Sequence, residues 1–307
     1  MICIISLIVF SILGIFSATH RALAREAFDC VLRRLTFRPC NANFKEKMQG
    51  MIVGKLMNRS VFAAKIFNKY LEVFSWIFFI LMVASTFWAI KGGYNFYQYG
   101  SCNGLNQDGF CVFDPTGANN KVSALSEQTE CSLHAPSEEN LSLEGSVLTG
   151  FPEIKGDQKN SVVFIGCYNC DYSRKAYPDV MKLVEKSSSN FTFIHFPVKD
   201  QSNYLSEYSY CAYKQDNEKF WKLNRDLFES KKEDLLSESY LENIAKKSGY
   251  DTTEMNKCIN SEETKKITSE EFEKIKDMKI YGTPTVFING KALVGPKPYR
   301  VYKGQLK

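Results

Sequence analysis

Residues 161–170, Ser161-Val162-Val163-Phe164-Ile165-Gly166-Cys167-Tyr168-Asn169-Cys170, decide how this chain is read. The apolar run Ser161 to Ile165 is short and bounded by polar residues, which is the pattern of a buried strand. A Cys-x-x-Cys follows it at once, and Tyr172 to Lys186 then reads as a helix, with Pro178 expected to kink it or break its first segment. Phe191 to Phe196 reads as a second strand. A strand, a crossover helix and a strand form a right-handed unit with parallel strands. The two cysteines therefore sit where a strand hands over to a helix. Unpaired N–H groups and the helix dipole there stabilise a thiolate, lowering a cysteine pKa from about 8.5 to roughly 3.5–7.5. On this reading Cys167, nearer the strand, is the exposed sulfur that attacks or is attacked, and Cys170 resolves the mixed disulfide. A zinc half-site would need a second Cys-x-x-Cys or a Cys/His pair, which the sequence lacks, so no metal is expected; a purely structural disulfide is the other alternative.

Working outward, residues 203–278 are mostly helical in pattern, with Phe220, Trp221, Leu223 and Leu227 spaced for one buried face. Pro284 to Ile288 reads as a third strand and Lys291 to Val294 as a fourth, joined by Asn289-Gly290, a strong hairpin signal. From about Phe151 onward the chain is thus of the α/β class.

The segment Tyr281-Gly282-Thr283-Pro284-Thr285-Val286-Phe287-Ile288-Asn289-Gly290 resembles the loop before the third strand of thioredoxin-fold oxidoreductases. In that family a cis-proline faces the redox pair. The resemblance implies that Pro284 is cis and that Thr283 presents its backbone to an extended substrate segment, whereas a trans-proline opening an edge strand is the plain alternative. The long helical insertion narrows the resemblance to the DsbA-like branch, as do Gly156-Asp157 and Ser161 to Cys170, then Cys211-Ala212-Tyr213-Lys214-Gln215, Lys219-Phe220-Trp221, Leu227-Phe228 and Met255-Asn256-Lys257-Cys258. It covers roughly residues 152–300 and implies a structural disulfide between Cys211 and Cys258, against the alternative of buried thiols. It also implies thiol chemistry without a cofactor, cysteine-containing exported proteins as substrates, and a membrane electron-transfer partner of the DsbB or vitamin-K-epoxide-reductase type. Tyr168 stands where many members have proline, and Gly166 has no acidic neighbour; both leave the redox poise open.

Upstream, residues 1–18 and 73–90 are uncharged apolar runs, each close to the roughly 20 residues that cross a bilayer, and they are expected to be two transmembrane helices. A cleaved signal peptide would carry a basic n-region before Ile2, and none is present. A buried core helix at 73–90 would be apolar on one stripe rather than all round. The intervening residues 19–72 carry Arg21, Arg25, Arg33, Arg34, Arg38, Lys45, Lys47, Lys55, Arg59, Lys65 and Lys69 against few acids. Positive-inside bias places this loop in the cytoplasm and everything after Ile90 outside, a two-pass protein of the cell membrane. Without an aromatic platform or zinc spacing, the basic run does not argue for nucleic-acid binding. Cys30 and Cys40 in the loop are expected as reduced thiols, while the outer compartment permits disulfides.

Residues 91–150 read as an extracytoplasmic linker. It opens on the aromatic cluster Tyr94, Phe96, Tyr97 and Tyr99, suited to the headgroup region. Cys102 and Cys111 are placed to close a small loop, and Cys131 has no evident partner. His134 falls in the linker and His195 in a strand; neither is assigned a role. Residues 151–307 are then a DsbA-like thioredoxin-fold domain, and the expected activity is disulfide donation through Cys167 and Cys170. The rivals are an extracytoplasmic reductase or isomerase, and a tethered non-catalytic peptide-binding module, which a buried Cys167 would favour.

Overall fold

The computed structural model describes residues 17–36, 60–107, 109–124, 148–157, 159–198, 202–278, 280 and 282–307, with 15, 46, 50, 53, 54, 57, 141 and 143 between them. The chain divides into two compact units, Met1–Ile90 and Lys91–Lys307.

In the first unit, α1 (Ala18–Leu35) precedes α2 (Val61–Tyr99), which bends at Tyr70 and whose last residues, 91–99, belong to the second unit. Trp76–Tyr99, 24 residues, is the one helix among the described residues long and apolar enough to cross a membrane. At 1.5 Å per residue it spans about 36 Å, against a hydrocarbon core of about 30 Å. Trp76, Phe78, Ile80, Leu81, Phe87, Trp88 and Ile90 are exposed rather than packed. The expected first span, 1–18, lies almost wholly outside the described residues. Cys30 departs from expectation: it is disulfide-bonded, not a thiol, to a partner outside the described residues. A lasting disulfide is uncommon in a reducing compartment, so this bond and the charge pattern of the loop pull in opposite directions.

The second unit is built on a mixed sheet of order β2-β4-β3-β6-β7. Its strands are β2 (Glu153–Ile154), β3 (Ser161–Gly166), β4 (Asn190–His195), β6 (Thr285–Ile288) and β7 (Lys291–Val294). β3 runs parallel to β4, as the strand–helix–strand unit requires, and antiparallel to β6. Asn289 and Gly290 have φ of 52° and 84°, the left-handed pair that a two-residue hairpin turn demands, and β6 and β7 pair across them. Val162 to Ile165 are buried throughout, so β3 is covered on both faces.

The crossover helix α3 (Asp171–Ser187) runs through Pro178 as one helix, so the break expected there does not occur. An interior proline costs about 3 kcal/mol. The helix buries Tyr177, Val180, Met181, Leu183 and Val184, each contributing roughly 1.5–3 kcal/mol, and that face outweighs the lost hydrogen bond.

The insertion comprises α4 (Asn203–Gln215), α5 (Asn217–Glu229), α6 (Glu238–Lys247), α7 (Thr252–Ile259) and α8 (Glu262–Asp277). Asp216, Ser237, Asp251 and Ser261 cap α5 to α8 by accepting hydrogen bonds from backbone N–H groups of the first turn. A disulfide joins Cys211 on α4 to Cys258 on α7. The chain returns through β5 (Gly282–Thr283) and ends on a short α9 (Tyr299–Lys303).

Residues 100–107 and 109–120 form turns closed by the Cys102–Cys111 disulfide. They dock on the outer strand: the Asn106 side chain donates to the Ala292 carbonyl at 2.9 Å and accepts from Val294 N at 2.7 Å. Arg300 donates to the carbonyls of Phe96 and Tyr97 at 3.1 Å each, and its guanidinium lies over both rings. Phe96 also stacks on Phe113, so part of the aromatic cluster expected at the headgroups is held by the domain itself. Beyond these turns, β1 (Ser123–Ala124) pairs with β5 in a separate two-stranded sheet.

Candidate redox centre

β3 ends at Gly166, where a Cβ would collide with the Phe164 ring, and the chain turns through Cys167-Tyr168-Asn169-Cys170 into α3. Cys170 is the N-cap: its backbone is extended and its sulfur accepts from Ser173 N at 3.4 Å. The Cys170 thiol donates to the Thr283 carbonyl at 3.4 Å, across from the strand end. Cys167 N donates to Ser173 Oγ at 3.2 Å, and Cys170 N to the Cys167 carbonyl at 3.1 Å, which closes the turn. Both cysteines stand as thiols. The Thr283–Pro284 peptide bond is cis.

The exposure expected of Cys167 is not found. Its residue is 0% exposed. Burial pushes its thiol above the ordinary value, and this outweighs the nearby polar groups of the Val198 backbone, the Ser202 hydroxyl and the Asn169 backbone, which favour the thiolate. Cys170, as the cap, takes one of the first-turn N–H groups, and burial is what leaves the Cys167 thiol raised.

Tyr168 explains how the turn is fixed. Its side chain points inward and is 0% exposed. The ring stacks on His195 with centroids 4.7 Å apart and packs against Phe228 and Phe193. Its hydroxyl donates to Asn224 Oδ1 at 2.6 Å and meets Ser209 Oγ at 3.2 Å. The Asn224 amide in turn donates to the Tyr177 hydroxyl at 3.0 Å, so a buried polar network ties the Cys-x-x-Cys turn to α3, α4 and α5. Burial of the phenol pushes the Tyr168 pKa well up, which keeps it a neutral donor. His195 lies beneath it with Nδ1 on Ser206 Oγ at 2.8 Å, and burial pushes its pKa down to about 3. It is a neutral packing histidine at ordinary pH. His195 also lines a cleft with Ser206, Tyr210, Thr268, Glu271 and Phe272, where burial raises the Glu271 carboxyl to about 7.

Sequence reasoning singled out Tyr168 only as a departure from the family's proline, not as a buried anchor, and missed Ser202. Tyr168 carried a signal only in its size, an aromatic at an inner position of the motif. Ser202 looks like a helix cap before α4, but its side chain caps nothing. It is 0% exposed, and its hydroxyl makes no standard hydrogen bond among the described residues while facing Cys167 closely enough to favour the thiolate. Thr283 Oγ1 is likewise buried without a hydrogen-bond partner among the described residues. No cluster of His, Cys, Asp or Glu suited to a metal occurs among the described residues.

A strand, a Cys-x-x-Cys turn and a helix facing a cis-proline, with a helical insertion between the two motifs, define a thiol–disulfide oxidoreductase of thioredoxin fold. Residues 155–307 match the family described as thioredoxin. That match and the relatives below support a DsbA-like thiol–disulfide oxidoreductase domain over those residues. The chain is similar to the probable disulfide bond formation protein D of Bacillus anthracis, with 26% identity over 147 residues, 44% of this chain and 68% of that protein. Among solved structures it is similar to the thiol–disulfide exchange protein alpha-DsbA2 from Wolbachia pipientis, at 19% identity and a TM-score of 0.47, covering 50% of this chain and 84% of that one. It is also similar to oxidised BdbD from Bacillus subtilis, at 21% identity and a TM-score of 0.42, covering 51% and 89%.

Proposed function

We propose that this chain is a membrane-anchored oxidoreductase that works outside the cytoplasm, with Cys167 and Cys170 as its redox pair, and that it donates disulfides to exported proteins. The observation that carries the reading is the Cys170 thiol on the Thr283 carbonyl beside the cis Thr283–Pro284 bond, which sets the redox pair against a backbone edge where an extended peptide can lie. In the oxidised chain, a substrate thiolate attacks Cys167 Sγ. The Cys167–Cys170 bond breaks, a substrate–Cys167 disulfide forms, and Cys170 leaves as a thiolate that takes up a proton. A second substrate thiolate then attacks the substrate sulfur and expels the Cys167 thiolate, which is protonated in turn. The substrate loses two electrons and two protons, and the pair Cys167 and Cys170 gains them. Reoxidation falls to a membrane electron-transfer partner of the DsbB or vitamin-K-epoxide-reductase class. The apolar helix Trp76–Tyr99 supports the anchoring in a lipid bilayer.

A reductase or isomerase running on the same pair is favoured by one observation, the raised pKa of Cys167. A thiol that resists ionisation stabilises the reduced pair less, and that moves a couple toward reducing potentials. The equilibrium potential of the full chain in detergent, titrated against glutathione with Cys167→Ser as control, decides the direction. A value near or above about −180 mV supports donation, one near about −270 mV supports reduction, and no exchange at all leaves a peptide-binding module.

A further inference from the structure

The Gly282–Thr283 edge is not open in this structure. β1 lies on it antiparallel, Ser123 opposite Thr283 and Ala124 opposite Gly282. Later in the same stretch of chain, Leu141, Leu143 and Leu148 pack against the apolar cluster that contains Cys167, Cys170, Ile194, Phe196 and Phe287. Cys167 is completely covered. The first two observations concern the linker rather than the fold, and the third concerns the sulfur that a substrate must reach.

Two residues of strand have no apolar face to bury and are not stable alone. They pair here because a sheet edge offers backbone donors and acceptors to any extended segment that reaches it. A tethered segment reaches it at an effective concentration of the order of mM, so even weak pairing holds. Thiol exchange, in contrast, needs a third sulfur to approach the attacked one, and a covered Cys167 refuses that approach.

We propose that the linker, through residues 123 and 124 and the leucines 141, 143 and 148, is an internal strap that occupies the substrate edge and covers Cys167, so that a cysteine-bearing extended peptide must displace it to react. The inference rests on the reading of Cys167 and the Thr283 edge given above and adds their regulation. The strap accounts for the burial of a sulfur that must be attacked, and for its raised pKa: the closed chain holds a reluctant thiol, and opening restores water to it. It also imposes selectivity, since a folded protein or an isolated thiol has no strand with which to compete for the edge.

The experiment uses the full chain in detergent micelles, with Ser123→Pro/Ala124→Pro to remove the strand's N–H donors and Leu141→Asp/Leu143→Asp to release the apolar cover. Two rates are read: alkylation of Cys167 in the reduced chain by iodoacetamide, and reduction of the oxidised chain by an unstructured cysteine-containing peptide. Both should rise at least about tenfold in either variant, which corresponds to about 1.4 kcal/mol of closure. Rates equal to wild type in both variants overturn the strap and leave the redox reading standing. Fast alkylation with no disulfide exchange keeps the strap and removes the redox reading of the site. A measurement on the unaltered chain decides independently of mutant folding: backbone amides of residues 122–124 should be protected from hydrogen exchange at rest and lose protection when a peptide with serine in place of cysteine is added. Unchanged protection at saturating peptide overturns the proposal.

Discussion

Tyr168→Phe removes one oxygen atom and tests how the redox turn is held. The ring keeps its stack on His195 and its contacts with Phe228 and Phe193, so no cavity of consequence forms. What is lost is the donor to Asn224 Oδ1, at 2.6 Å in a site with 0% exposure. Turning the Asn224 amide around does not recover the loss, because its nitrogen would then face the bare ring without an acceptor while its oxygen met the Tyr177 hydroxyl. An orphaned buried carbonyl costs about 1–3 kcal/mol. In a domain of this size each kcal/mol is worth about 2–4 °C, so the melting temperature should fall by roughly 2–12 °C. The assay is thermal unfolding of the full chain in detergent followed by near-ultraviolet circular dichroism, with Tyr168→Leu alongside. The leucine variant should lose more, since it adds a packing defect of about 2 kcal/mol or more to the same lost bond. A melting temperature for Tyr168→Phe within about 1 °C of wild type, with the network intact in its structure, would refute the reasoning.

Three further outcomes are expected. Cys211→Ser/Cys258→Ser opens a bridge with a sequence separation of 47 and should cost about 4 kcal/mol if the gain is chain entropy, lowering the same melting transition by roughly 8–16 °C. Ser202→Ala should shift the pH profile of Cys167 alkylation further upward, because the hydroxyl that favours the thiolate is gone; a profile that does not move removes Ser202 from the centre. Glu271 holds its proton to about pH 7 in the folded chain against an ordinary 4.5, so the unfolded state releases that proton first and stability falls as pH rises between those values. Glu271→Gln should abolish that fall, being more stable than wild type above pH 7 and no more stable below 4.5, as melting temperatures across that range will show.

Much of the fold was legible because its signals are local. The apolar run of β3, the Asn289-Gly290 turn and the spaced apolar residues of α5 each announce themselves within a few residues, and each occurs where it was expected. Pro178 misled because one lost hydrogen bond was weighed without the buried face that surrounds it. The redox turn was legible in its cysteines and not in their environment. Cys167 is buried, with Ser202 close by and linker leucines up to 26 residues upstream on the same apolar cluster, and nothing in the Cys-x-x-Cys spacing records them. The strand Ser123–Ala124 is too short to show alternation; it is defined entirely by the edge it meets.

Asn106 gives the molecule a property unrelated to its thiol pair. β7 is one of the two outer strands of the sheet, and a bare outer strand is an invitation to a neighbouring molecule's backbone. One amide side chain answers that invitation from within, meeting a carbonyl and an N–H of the strand as a further strand would. The turns that carry it are themselves closed by Cys102 and Cys111. The colloidal behaviour of the domain is thereby linked to its surroundings. Opening that bridge frees the turns that hold Asn106 on the strand, so a Cys102→Ser/Cys111→Ser variant is expected to associate more readily than wild type in sedimentation, with Cys167 and Cys170 untouched.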